Sequence, residues 1–138
     1  MKNLGLLIKL QKTKVDEQRV ILARLQDNLD KIKDTLVSME QEFEKEQKIA
    51  KNDYESMMTY EKYLKKFMHD KKETEKQLVL MEEAVLLAHD KLTELFEEQK
   101  RYEIALEQKL EEERLLLLKL ENQALDETGS IWHQRKKI

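Results

Sequence analysis

Apolar residues recur along this chain at alternating steps of three and four. Between positions 22 and 43 they read Leu22, Leu25, Leu29, Ile32, Leu36, Met39 and Phe43 without a break. A repeat of about 3.5 residues keeps a narrow apolar stripe turned toward a partner helix and makes the two supercoil. With Leu22 as heptad position a, the a series is Met1, Ile8, Val15, Leu22, Leu29, Leu36, Phe43, Ala50, Met57 and Leu64, all apolar. The d series is mixed: Leu4, Gln11, Gln18, Leu25, Ile32, Met39, Glu46, Asp53, Tyr60 and Phe67. Polar d residues weaken a coil and can fix its register. In a seam this narrow, their long side chains are expected instead to reach water.

A second stripe runs through Leu78, Met81, Val85, Ala88, Leu92 and Leu95, then Gln99, Tyr102 and Leu106. After Leu106 the phase slips, and Leu115 to Leu118 are apolar on every side of a helix. Either these leucines cover the base of the coil or they meet something beyond the partner helix. Asn3 is placed to cap the first helix. Gly129, after Asp126, Glu127 and Thr128, is placed to end the last one. That predicts a coiled-coil region over 1–128 and a flexible basic tail over 129–138, holding Trp132, His133, Arg135, Lys136 and Lys137.

The seam can be buried in two ways. One unbroken helix would pair with a second chain, whereas a hairpin would pair with itself. For an antiparallel hairpin, two registers fit the stripes. A turn around Asn52 to Thr59 sets Phe43 opposite Phe67, Leu29 opposite Met81 and Gln11 opposite Gln99. Thr59 would then cap the second helix. A turn around Asp70 to Thr74 sets Phe43 opposite Tyr102 and Leu64 opposite Met81. It is helped by the capping-box pattern Thr74-Glu75-Lys76-Gln77. The breakers Asn52, Asp53 and Ser56 favour the earlier turn.

Composition narrows the class. There is no proline, there are two glycines, and 40% of residues are charged. Most turn types need Gly or Pro, so the chain is all-α with long helices; of the two ways to bury the seam, the expected fold class is two long helices in an antiparallel coiled-coil hairpin, with one unbroken helix in a dimer as the alternative. Acid-then-base pairs four apart (Asp27/Lys31, Glu44/Lys48, Glu61/Lys65, Glu97/Arg101) mark solvated faces. A net charge of -3 gives no general attraction to nucleic acid or to an anionic membrane. The apolar opening Leu4 to Ile8 is too short for a leader or a membrane span. No cysteine offers a disulfide or a thiolate metal site. His69, His89 and His133 share no metal-binding spacing, and no phosphate loop or serine elbow is present. The sequence therefore reads as a non-enzyme with no cofactor. One cluster has the composition of a docking patch: Tyr54, Tyr60, Tyr63 and Phe67, with Met57 and Met58 between them. Its alternative use is to cover the hairpin turn.

Four stretches carry a family likeness. They are Leu7-Ile8-Lys9-Leu10 with Val15-Asp16-Glu17, Tyr60-x-x-Tyr63-Leu64-x-x-Phe67, Lys100-Arg101-Tyr102-Glu103, and Leu125-Asp126-Glu127. In order and spacing the chain resembles the FliJ family, the coiled-coil stalk of the flagellar type III export apparatus, and its YscO-type injectisome counterpart. The resemblance implies a cytoplasmic protein, peripheral at the inner face of the cell membrane and not inserted in it. It implies three partners: the export ATPase hexamer, whose central pore the stalk enters, the cytoplasmic domain of the export gate protein, and the export chaperones. It implies a gate-contacting face at Leu36, Met39, Phe43, Tyr63 and Phe67. Asp70 and Thr74 depart from the family's pattern, in which that face continues with a small apolar residue and a histidine. Leu36, Met39 and Phe43 also lie on the seam, which leaves Tyr63 as the residue with least conflict. Leu115, Leu116, Leu117 and Leu118 are the expected grip for the ATPase ring. Without the resemblance, the sequence reads as a generic coiled-coil scaffold or dimeric tether.

Overall fold

The computed structural model describes residues 3–49 and 54–136. They form two helices, α1 (Leu4–Ile49) and α2 (Tyr54–Lys136). Asn3 stands just before α1, and its carbonyl accepts the Leu7 N–H at 3.1 Å. Met1, Ala50, Asn52 and Asp53, which the heptad reading placed on the seam or in the turn, lie outside the described residues.

By their contacts the helices divide into two units: Lys14–Glu94, and Met1–Thr13 with Leu95–Ile138. In the first unit the helices run antiparallel. Phe43 stacks on Phe67, with ring centroids 4.5 Å apart. Lys71 Nζ lies 2.6 Å from the Glu40 carboxylate. Gln18 Nε2 donates to the Ala88 carbonyl at 3.0 Å. The Phe43 and Phe67 stack is the pairing of the earlier register. Residues 70 to 74, the alternative turn, are continuous helix within α2. Tyr54 to Thr59 are also helical. Thr59 is therefore not a cap: its hydroxyl donates back to the Glu55 carbonyl at 3.1 Å, as β-branched hydroxyls do inside helices.

The seam is as thin as the stripe requires. Val15, Leu22, Phe67 and Ala88 are buried in this unit, and Leu25, Leu29, Ile32, Leu36, Met39 and Phe43 are half-buried. Met57, assigned to the seam by its heptad position, is 58% exposed. In the second unit Ile8, Gln11 and Leu95 are buried. Gln11 does not reach water: it is 2% exposed, and its amide donates to the Leu95 carbonyl at 3.0 Å and to Glu98 at 3.3 Å. A seam residue that cannot reach solvent must find its acceptors in the opposite helix.

The expected end near Gly129 is not where α2 stops. The helix continues to Lys136 without a break at Gly129, so the expected tail begins as helix. Gly129 does not take the positive φ that a helix stop uses. A mid-helix glycine costs about 1 kcal/mol relative to alanine. With no proline following, each further residue can still add a hydrogen bond.

Candidate functional site

The aromatic region is built where α2 begins, in the unit Lys14–Glu94. Tyr60, Tyr63 and Phe67 follow at helical spacing, and Phe43 of α1 meets them. Phe43 lies 6.4 Å from Tyr60 and stacks on Phe67; Tyr63 stacks on Phe67 at 6.2 Å. Lys71 sits 5.8 Å from the Phe67 ring centroid, near the limit of a cation–π contact. Of the residues expected to form one face, Phe43, Tyr63 and Phe67 are thus joined. Phe67 is buried, and Leu36, Met39 and Phe43 are half-buried. Tyr63, also half-buried, lies at the edge of the stack. Its phenol pKa is raised, first by loss of solvent and then by the nearby carboxylates of Glu42 and Glu46. Tyr63 therefore stays a neutral hydroxyl on an acidic flank.

The rest of the aromatic and methionine cluster faces elsewhere. An open groove of about 820 Å³ is lined by Gln47 of α1 and by Tyr54, Met57, Met58, Tyr60, Glu61 and Leu64 of α2. Tyr54 is 76% exposed, and Met57 and Met58 are also exposed. Tyr63 and Phe67 do not line it. Only helical phase, counted from a known seam, separates the two sets, so sequence proximity grouped them. Gln47 was not legible as a lining residue, because nothing in the sequence shows which α1 side chain reaches this groove.

The leucine segment belongs to the other unit. Leu115, Leu116, Leu117 and Leu118 are all exposed, as is every residue from 107 to 135. The register supplies the reason: α1 starts at Leu4, and its antiparallel partners on α2 run out near Leu106. Nothing in α1 is left to cover the roughly eight further turns. The reading in which these leucines cover the base of the coil is corrected accordingly. One tight pair decorates this stretch: Arg114 donates two hydrogen bonds to Glu111, at 3.0 and 2.7 Å. They hold the Glu111 pKa down and the Arg114 pKa up. Of the four sequence-predicted acid and base pairs, Glu97/Arg101 closes, at 3.8 Å.

Among the described residues no three His, Asp or Glu side chains are placed to hold a metal ion, and no helix is long and apolar enough to cross a membrane. Both regions offer contact surface. A family model described as Flagellar FliJ protein matches residues 1–137. No curated protein and no solved structure matches the chain.

Proposed function

Because the chain belongs to the flagellar FliJ protein family, and is thus a coiled-coil protein of flagellar export, we propose that it is the non-enzymatic stalk of that apparatus. In this reading the exposed leucine segment of α2 enters the ring of the export ATPase. The aromatic edge at Tyr63 contacts the export gate protein, and export chaperones use the same stalk. The observation that carries the proposal is the run Leu115 to Leu118, four leucines 47 to 61% exposed on a helix that α1 does not cover. A shaft gripped in turn by identical subunits needs a surface without a fixed partner geometry. Hydrophobic burial is non-directional and supplies that. An exposed leucine run without such a partner would be an aggregation liability. Tyr63 is the gate-facing residue that fits best, since Phe67 is buried and the other three lie half in the seam.

The test uses the full chain with the purified export ATPase. Leu115→Asp with Leu118→Asp should leave the seam intact, because both side chains are already in solvent, should lower helicity only locally, and should abolish stimulation of ATP hydrolysis. Full stimulation by the folded variant would sink the ring assignment. The gate assignment is tested separately. Tyr63→Ala should weaken capture by the gate's cytoplasmic domain and leave ATPase stimulation intact.

A further inference from the structure

The groove beside the aromatic stack is taken up neither by the ring contact nor by the gate contact. Beyond the groove, one exposed face of α2 continues with Met68 between lysines. Tyr54, Glu61, Lys65, Met68 and Lys72 are spaced seven, four, three and four apart, which keeps them on one side of a helix. Met57 and Met58 widen the track at its start. Tyr54, Met57, Met58 and Met68 are 76, 58, 53 and 64% exposed. From Tyr54 to Lys72 the track is roughly 27 Å long at 1.5 Å per residue.

Charge says what fits there. Between positions 62 and 72 the chain holds five lysines and one acid, Asp70, although its overall net charge is -3. Lys71 is engaged by Glu40. Lys62, Lys65, Lys66 and Lys72 are exposed, and none of them appears in an ion pair among the described residues. Glu61 is the one carboxylate on the groove lining. The opposite flank of the same stretch is acidic, since Glu42 and Glu46 act on Tyr63. A flat anionic surface meeting the whole hairpin would meet those carboxylates too. A single helix lying along α2 would not.

We propose that the Tyr54-to-Lys72 face of α2, with its methionine-floored groove, docks an acidic amphipathic helix of a partner protein. The partner's apolar residues, at three- and four-residue spacing, enter between Met57, Met58 and Leu64. Its flanking carboxylates meet Lys65 and Lys72. Helix-in-groove recognition has this anchor pattern. Methionine's unbranched, polarisable side chain lets one groove accept helices of differing shape. The surface is separate from the leucine segment and from Tyr63, so it stands whether or not the ring and gate assignments do.

The probe is a fluorescent helical peptide of about twenty residues, with leucine on its apolar face and glutamate on its flanks, titrated onto the full chain. Saturable binding that weakens with salt is expected. Lys65→Glu with Lys72→Glu should weaken it by at least about tenfold, and Glu61→Gln should tighten it, because rim charges steer and select such contacts. All three side chains are exposed, so circular dichroism should be unchanged. If the double variant nonetheless misfolds, the salt series and Glu61→Gln still decide. Four results would overturn the proposal. They are absence of binding, equal binding of a peptide with lysine flanks, loss of the peptide to a second copy of the chain (doubled mass with Tyr54 to Lys72 occupied), and Met57- and Met58-dependent capture by phosphatidylglycerol vesicles in place of the peptide.

Discussion

Gln11 shows how much one polar side chain can demand of a thin seam. It is 2% exposed, and both amide hydrogens are used, on the Leu95 carbonyl and on Glu98. The surrounding layer is polar and one donor short: Tyr102 donates to Glu98 at 2.9 Å, Gln99 Nε2 donates to Glu103, and Gln99 Oε1 is buried with no donor. Position 11 therefore faces acceptors. Gln11→Glu keeps the shape and removes both donors. At neutral pH it sets a desolvated carboxylate against a carbonyl and a second carboxylate. The expected loss is about 2 kcal/mol or more, the usual scale for a buried polar group stripped of its partners. The pH dependence has a fixed sign. Desolvation and Glu98 both raise the folded-state pKa of the introduced carboxyl above its unfolded value. The penalty is then complete above the raised pKa. It shrinks as pH falls and the acid becomes a donor. Urea unfolding of wild type and variant between pH 8 and about pH 4 should show the gap closing toward acid. A pH-independent gap would mean that position 11 is not buried among acceptors.

At the scale of the two helices, the pairing Phe43 with Phe67 fixes the register, and the absence of cysteine makes it directly testable. Phe43→Cys with Phe67→Cys should oxidise to an intramolecular disulfide, seen as a monomer of faster mobility on a non-reducing gel. Phe43→Cys with Tyr102→Cys should not. Cross-linked dimer from the first pair would instead support two parallel chains. Much of this arrangement was legible. The steps of three and four found the buried Ile8, Val15 and Leu22, and the register with the earlier turn contains the Phe43 and Phe67 stack. What stayed hidden depends on energies too small or too contextual for a pattern to show. Gly129 has the residue type of a helix stop, but its cost of about 1 kcal/mol relative to alanine does not end a chain that contains no proline. Thr59 has the residue type of a cap, but its hydroxyl is satisfied by the Glu55 carbonyl. Met57 keeps the heptad phase but lies in the first turn of α2, where the seam is not yet closed. Gln11 keeps a polar identity on a dry position, because acceptors on α2 make that tolerable.

The whole chain spends its apolar residues unevenly, and this is where the proposed ring contact and its stability meet. Residues 107 to 135 are exposed throughout, so this part of α2 has only local support. That support includes helix-favouring leucine, glutamate and lysine, the Glu111 and Arg114 pair, and the Thr128 hydroxyl bonding back to Ala124 at 2.9 Å. A solitary helix of about thirty residues forms in water but frays and reopens readily, because nucleation is the main barrier and no tertiary packing opposes fraying. Hydrogen exchange should therefore divide the chain. Amides around Ile8 to Leu22 and Ala88 to Leu95 should exchange only by opening of the seam. Amides from Glu107 to Arg135 should exchange faster by roughly two orders of magnitude or more. Adding the export ATPase should slow exchange within Leu115 to Leu118 and its neighbouring turns, and leave the Ile8 to Leu22 amides unchanged. If the free chain already protects 107 to 135 as strongly as the seam, something else covers those leucines in solution, and the ring would have to displace it before gripping them.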